Sequence, residues 1–500
     1  MAIASIYVLL CVAGLPFWVA QQHLGGRSIP FILASCGYVA YAVISGASIP
    51  MDSITLITGC IAVWLCASLI WTDTKKSVFE LLNMLSFLVL FTAARTVPMA
   101  LIAVAFFAVG LIFATSQMYH ICVKRREIDG HAYYSFGNGN HTGAFMLMEL
   151  FIGLWLAVNL SPWLLAFLPL IIAALITTKC KGAILATVLG VVAVIYAAGF
   201  WQVAMGLFAV VWIAAFLVFC KVPYHFEKSF LNRKEFWKAA IELIRRRPFH
   251  GWGLNTYAKE LPETAAILNT TRPAVGKRSY RVHNDHLEIM VELGIVGYVL
   301  FGYLFSNLSY DPIIFGLFMA FIVHACFFFP FREVHTGAPF WAIIGAMTGG
   351  TTTVLSAPWL VKLMVCAIVT AIIIRTLKVF LGQWYSEMAK NKAGITLEQK
   401  LAHYEIALAN DPDDTGYLTD AAFLYFKVDP IKALLLMMRS FVNYDGVRMK
   451  HDICDMLARC IINAGESRIC HWLEDEALRL EKDDKSAIEV KNFLYMRDKR

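Results

Sequence analysis

The residues best suited to chemistry lie between Arg281 and Gly297, where a dense polar cluster runs directly into an apolar helix. Imidazole titrates near neutrality, so His283 is a candidate general base or charge stabiliser for a reacting hydroxyl. Ionisable groups at the mouth of a membrane segment are costly to keep, and by default they mark a site. Asp285 with Glu288 three residues later forms a capping-box pattern that starts the helix and leaves His283 and His286 at its entry. Glu292, about two turns inside, needs protein or water around it, and a basic loop residue is its expected partner. Gly294 and Gly297 permit close helix contact. Asp285, His283 and His286 are also metal-ligand residue types, but no third partner stands at a suitable spacing, and no metal is expected.

Five further groups fit anion or ligand binding. Arg233 opens an amphipathic stretch, and a guanidinium suits diphosphate oxygens through paired hydrogen bonds. Lys181, at the mouth of an apolar run, offers a point charge to the same end. The Arg245-Arg246-Arg247 cluster reads equally as interfacial anchoring. Asn140 follows the glycines Gly137 and Gly139 and serves either as a ligand amide or as a helix cap. His324 is ionisable inside an apolar run, hence a candidate, with bonding to a neighbouring backbone carbonyl as the competing reading.

The elements that must carry these groups are membrane helices. Hydrophobic residues make up 59% of the 500 and charged residues 16%, against about 45–50% and 25% in soluble proteins. A soluble globule is thereby excluded. Apolar runs fall near 2–20, 30–47, 54–71, 78–94, 98–117, 142–160, 162–178, 182–199 and 201–220, before a polar stretch at 221–286. Four more follow near 288–308, 312–330, 338–354 and 358–381. With about 20 residues needed to cross, the expectation is an all-α polytopic membrane protein with about 12–13 transmembrane helices. The first run has neither a basic leader nor a small-residue cleavage site, so it is expected to be retained as a span.

Loop parity sorts the polar residues. Arg27, Lys75, Lys76, Lys124 to Arg126, the turn Gly137 to His141, Lys179, Lys181 and Arg332 share the face of the long loop. The opposite face carries little beyond Asp52, Arg95 and Asp311. The net charge of +7 is thus concentrated on one face and implies anionic partners, phosphates or membrane lipid headgroups. Nucleic acid is not expected as a partner, because no basic soluble domain is present. The positive-inside rule places this face in the cytoplasm, whereas a polyphosphate site outside would need the same cations there. Within 221–286, Arg233 to Arg247 carries Phe236, Trp237, Ala240, Ile241, Leu243 and Ile244 at helical spacing, as an amphipathic helix on the bilayer would. Gly251-Trp252-Gly253 then reads as a flexible turn.

After Gln383 the chain becomes polar and periodic. Ala402, Tyr404, Ala407 and Leu408, then Asp411-Pro412, Ala421, Ala422 and Tyr425, resemble a tetratricopeptide helix pair. Phe441 and Asp445 answer Ala407 and Asp411 at the 34-residue period of that repeat. The expected organisation is a transmembrane domain over 1–381 with its large loop at 221–286, and a C-terminal helical-repeat (TPR-like) domain over 384–500. Cys454, Cys460 and Cys470 fall in the latter, where a disulfide requires export.

Together these motifs resemble the O-antigen ligase superfamily, which includes O-antigen ligases, O-antigen polymerases and bacterial protein O-oligosaccharyltransferases. His283-Asn284-Asp285-His286-Leu287 with Glu292, Gly294 and Gly297 is similar to its His-Asn-x-x-Leu…Glu-x-Gly-x-x-Gly signature. Arg233 and Trp237 with Pro248, Gly251 and Gly253 are similar to the segment upstream of it. Gly137 to Asn140 and His324 to Pro330 resemble two further segments. The family's Ser-Arg-Gly is Cys180-Lys181-Gly182 here, and an acid expected before its Tyr-Pro position is Phe328. The resemblance implies a GT-C-like, metal-independent, inverting glycosyltransferase without cofactors. It would move a pre-assembled glycan from undecaprenyl diphosphate to a lipid A core, glycan or protein acceptor at the periplasmic face of the bacterial inner membrane. His283 would activate the acceptor and Arg233 stabilise the diphosphate. Lys181, Arg245, Arg246, Arg247, Asn140, Asn284, Glu292 and His324 would be substrate-binding. A membrane transporter is the alternative of another class.

Overall fold

The computed structural model describes residues 2–16, 28–46, 48–50, 52–72, 76–123, 127–128, 131–132, 136, 138–220, 224–257, 260, 281–308, 311–349, 352–354, 358–391, 394–412, 414–426 and 428–443. Arg27, Lys75, Lys124 to Arg126, Gly137, Asp445, Cys454, Cys460 and Cys470 lie outside the described residues. The chain divides into two compact units, Met1–Ala274 with Ser279–Thr370, and Val275–Arg278 with Ala371–Arg500.

Each apolar run falls on a helix. Before the long polar stretch stand α1 (Ala2–Leu9), α2 (Ile29–Ser45), α3 (Ser53–Ala67), α4 (Lys76–Ala94), α5 (Met99–Cys122), α6 (Gly139–Asn159), α7 (Leu168–Thr177), α8 (Lys181–Ala197) and α9 (Trp201–Cys220). Then come α10 (Tyr224–Arg246), α11 (Asp285–Ser306), α12 (Pro312–Ala325), α13 (Val334–Thr348) and α14 (Trp359–Asn391). Among the described residues six helices, at α3 (with its continuation to Ile70), α4, α5, α6, α11 and α14, are long and apolar enough to cross a membrane. The protein is a helical, multi-pass membrane protein. Its few strands are two or three residues long: Ser48–Pro50 pairs with Thr352–Val354, and Glu127–Ile128 with His131–Ala132.

Small residues set the closest helix contacts, as they do where lipid supplies no hydrophobic drive for association. Gly190 of α8 meets Gly316 of α12 so closely that a Cβ on either would lie 2.7 Å from the other's carbonyl oxygen. Gly345 of α13 faces the backbone of Phe91 in α4. α6 is the inner helix, buried along most of its length, whereas α14 is largely exposed, with Trp359, Leu360, Leu363 and Met364 turned outward as lipid contact demands. The charges of the bland face are not idle. Arg95 binds Asp52, Thr55 (2.8 Å) and Thr348 (3.0 Å), tying the ends of α3, α4 and α13 together. That arginine lowers the Asp52 carboxyl to about 2, chiefly through its hydrogen bond. Asp311 caps α12 through the backbone N–H of Ile313 (2.8 Å).

In the second unit, α15 (Leu397–Asn410), α16 (Thr415–Tyr425) and α17 (Pro430–Asn443) follow the end of α14. Thr396 and Gln399 form a full capping box on α15. Lys390 pairs with Asp420 at 2.8 Å, and Lys432 with Glu405 at 2.7 Å.

Candidate functional site

α11 is broken where the glycines predicted it would pack. Gly294 has φ 68° and ψ −173° inside the helix, a conformation that costs an L-residue dearly and glycine little. The segment after α10 fills the gap. The N–H groups of Ile295 and Val296 donate to the carbonyls of Pro248 (2.8 Å) and Phe249 (3.3 Å). The N–H groups of Trp252 and Gly253 donate to the carbonyls of Val291 (2.8 Å) and Glu292 (2.9 Å). Gly251 and Gly253, at φ 71° and 97°, make this possible, because a Cβ on Gly251 would stand 2.5 Å from the Glu292 carbonyl. The expected flexible turn is therefore a stitched backbone junction. Gly297 packs against Trp64 of α3, whose indole donates to the Leu293 carbonyl at 3.0 Å.

α10 also differs from expectation. It begins at Tyr224, so Arg233 lies within it rather than at its start. Its apolar face, Phe236, Ala239, Ala240 and Leu243, is buried against Tyr257, Val282 and Val291 of the same unit and not against lipid. Glycine-free side-chain bonds fix the fit: Tyr257 donates to the Phe236 carbonyl (3.1 Å) and Trp252 to that of Leu243 (2.9 Å).

Below the junction lies a buried ion network. Arg332, in the loop between α12 and α13, reaches Glu292 (2.7 Å), Glu80 (3.1 Å), Asp285 (3.5 Å) and Glu288 (3.6 Å). Arg281 reaches Glu288 (2.9 Å) and Glu80 (3.4 Å). Backbone N–H groups complete it: Val282 donates to Glu288 (3.0 Å), Asn255 to Glu292 (2.8 Å) and Phe331 to Asp285 (2.9 Å). Burial opposes the charge of Arg332, yet Glu292, Glu288 and Glu80 hold its guanidinium above the usual value. The expected basic loop partner of Glu292 is thus Arg332. The expected capping box is corrected: the cap is Asn284, whose side chain accepts from the Leu287 N–H at 3.1 Å. Asp285 and Glu288 are consumed by the network instead.

His283 stands above this network at φ 56°, a left-handed conformation uncommon outside glycine and enriched where function constrains the backbone. Its ring lies between those of Phe236 (6.2 Å) and Phe329 (5.4 Å), and its Nδ1 has no hydrogen-bond partner among the described residues. Burial, and then the charge of Arg233, pushes the imidazole from 6.5 down to about 4. It is neutral at physiological pH, with a ring nitrogen free to accept a proton. Arg233 is half-buried and makes no ion pair among the described residues; burial is the main influence on it, lowering its pKa. Beside it, the Cys180 thiol, its pKa raised by burial, donates to the Asn140 side-chain oxygen at 3.1 Å. Gly182 leaves room for His324, whose Nδ1 would lie 3.5 Å from a Cβ there. The cap of α6 is Asn138, bonding the Asn140 N–H at 2.8 Å, which leaves the Asn140 side chain to Cys180. Lys181 is exposed at the first position of α8.

The structure therefore gathers His283, Arg233, His324, Asn140 and the Cys180–Gly182 turn. It does not bring in the triple arginine, which lies on the order of 18 Å further along α10 at 1.5 Å per residue. Arg245 and Arg246 bond Glu242 (3.9 and 3.2 Å), and Arg247 covers the Trp252 ring at 4.0 Å. His286 turns away from His283. It bonds the Ile322 carbonyl (3.0 Å) and Tyr298 (3.4 Å) and borders a cavity of about 510 Å3 lined by Phe301, Phe305, Phe318 and Trp341. Glu80 was missed in the sequence although an acid in an apolar run is a signal in itself. So was Glu149 of α6, a buried carboxyl with no hydrogen-bond partner among the described residues, facing Gly110 of α5.

A lysine exposed at the head of α8, a half-buried arginine with no ion pair among the described residues and a neutral histidine can bind an oxyanion and take a proton from a hydroxyl. Comparison with curated proteins gives no match. Residues 143–302 match the O-Antigen ligase family, a segment that contains Cys180, Lys181, Arg233, His283, Glu292 and both junction glycines of α11. This match over residues 143–302 supports the resemblance to the O-antigen ligase superfamily for that part of the chain.

Proposed function

We propose that the protein transfers a pre-assembled glycan from undecaprenyl diphosphate to an acceptor hydroxyl at the periplasmic face of the bacterial inner membrane. The observation that carries this is the pairing of an arginine with no carboxylate partner among the described residues with a histidine held neutral beside it. A half-buried guanidinium without a counter-ion is costly, and a diphosphate supplies the missing charge. In the reaction His283 accepts the acceptor's O–H proton as the oxygen attacks the anomeric carbon. The bond from that carbon to the diphosphate oxygen breaks, and the lipid diphosphate leaves with its electron pair, stabilised by Arg233 and Lys181. Direct displacement inverts the anomeric centre, and no step needs a metal. The aromatic cavity beside His286 suits a segment of the polyprenyl chain, since its walls are almost wholly apolar. The unit formed by α15 to α17 fits a TPR-like interaction module, a feature in keeping with a protein acceptor or partner.

The test is glycan transfer in membranes supplied with lipid-linked donor and, in turn, lipid A core, glycan and protein acceptors. His283→Ala should reduce transfer to background for whichever acceptor the wild type uses, with membrane insertion intact. Full activity in that variant would remove the assignment.

A further inference from the structure

We propose that His141, Glu333 and His335 form a binding site for one divalent transition-metal ion of the zinc class, joining α6 to the head of α13. One ligand atom from each residue, a ring nitrogen of His141, a carboxylate oxygen of Glu333 and a ring nitrogen of His335, lies within 4.8 Å of the other two. The two ring nitrogens are 2.9 Å apart across 194 residues of sequence. With zinc–nitrogen and zinc–oxygen bonds of about 2.0–2.2 Å, tetrahedral ligands stand roughly 3.3–3.5 Å from each other. The observed group brackets that spacing, so a small rotation about the side-chain bonds closes it on an ion.

Three features separate this cluster from a casual meeting of polar residues. Both imidazoles are buried, at 7% and 0% exposure, and each is held by an aromatic wall: His335 stacks on Phe136 (4.6 Å) and His141 meets the edge of Phe328 (4.8 Å). Ligands locked in this way need little reorganisation to bind. The donor set is two imidazoles and one carboxylate, which favours zinc, cobalt, nickel or copper over magnesium or calcium. Three protein ligands leave a fourth position for water, and the half-buried Glu333 provides the way in. The site is separate from His283 and Arg233 and does not depend on the glycan-transfer reading. Its neighbours give it a role: Glu333 follows Arg332 of the ion network, and His141 follows Asn140 beside Cys180. An ion there would fix both loops relative to each other.

The experiment uses the full chain without a histidine tag, purified in detergent, stripped with chelator, reloaded with Zn2+ or Co2+ and separated from free metal. The wild type should retain about one ion per chain, give the visible spectrum of four-coordinate Co2+ without thiolate charge-transfer bands, and melt several degrees higher with Zn2+. His335→Gln and, as a milder change at a half-buried position, Glu333→Gln should each lose the retained ion at an unchanged gel-filtration profile, while His403→Gln keeps it. No retained metal in the wild type, or equal retention in Glu333→Gln and His335→Gln, overturns the proposal and leaves a plain histidine–histidine hydrogen bond. Thiolate bands would assign the metal to the cysteines and overturn it as well.

Discussion

Replacing Gly294 by alanine puts a methyl group where the chain has reserved space for backbone. The new Cβ would overlap the Phe249 carbonyl and stand 2.6 Å from the His250 nitrogen. The positive-φ, extended-ψ conformation, which essentially only glycine adopts, alone costs an alanine about 1–3 kcal/mol. Relieving the overlap requires the 248–253 segment to withdraw, which breaks the bonds from Ile295 to Pro248 and from Val296 to Phe249. Each of the two buried donors left unpaired costs about 1–3 kcal/mol, so with the backbone cost the total falls at about 3–9 kcal/mol. At an unfolding entropy of about 2.1 cal/mol/K per residue, a unit of roughly 370 residues loses about 1.3 °C per kcal/mol. Detergent-solubilised Gly294→Ala should therefore melt about 4–12 °C below the wild type, at about 1.3 °C per kcal/mol, followed by intrinsic tryptophan fluorescence. Trp252 and Trp64 both touch the junction and report on it directly. Activity should fall further than stability, because Asn255 and the Glu292 carboxylate move with the segment. Wild-type melting and wild-type transfer in this variant would refute the stitched junction.

Arg332→Met leaves Glu80, Asp285, Glu288 and Glu292 gathered around Arg281 alone and should cost about 3–5 kcal/mol, the usual penalty for stranding a buried charge. Adding Glu80→Gln should recover part of that loss in thermal melts, and strict additivity of the two changes would contradict a shared network. For His283 the sign follows from its depressed pKa. The folded imidazole binds its proton only near pH 4 and the unfolded one near 6.5, so stability from this group declines as pH falls through that window. The acid limb of transfer should likewise lie well below pH 6.5. Arg233→Gln removes the neighbouring positive charge and should move the limb of the residual activity toward higher pH. A limb that stays in place would show that Arg233 does not act on His283.

The helices were legible because lipid imposes long apolar runs, and the site was legible where polar residues interrupt them. His283, Arg233 and His324 were read from residue type and position, and the structure brings them to one place. What stayed hidden were relations across the chain. Nothing local to Arg332 shows that it will meet acids from α4 and α11, and nothing in Gly251-Trp252-Gly253 shows that its backbone will enter a helix break about forty residues later in the sequence. The capping box failed for a related reason. Asn284 was the better cap all along, and the acids after it had tertiary partners that outweighed the local pattern. Arg245 to Arg247 misled in the opposite direction, because charge density in sequence says nothing about which way α10 turns it.

The ion network and the anion site explain each other. Arg233 and Glu288 both act electrostatically on His283, the arginine lowering its pKa and the acid raising it. A free carboxylate there would pair with Arg233 and protonate His283, removing both functions at once. Arg281 and Arg332 prevent this by holding Glu80, Asp285, Glu288 and Glu292 among themselves, with backbone N–H groups taking up the remaining oxygens. The four acids thus have partners of their own, and Arg233 makes no ion pair among the described residues. A half-buried arginine with no ion pair among the described residues, beside a neutral histidine, is a place for an anion that arrives with the substrate.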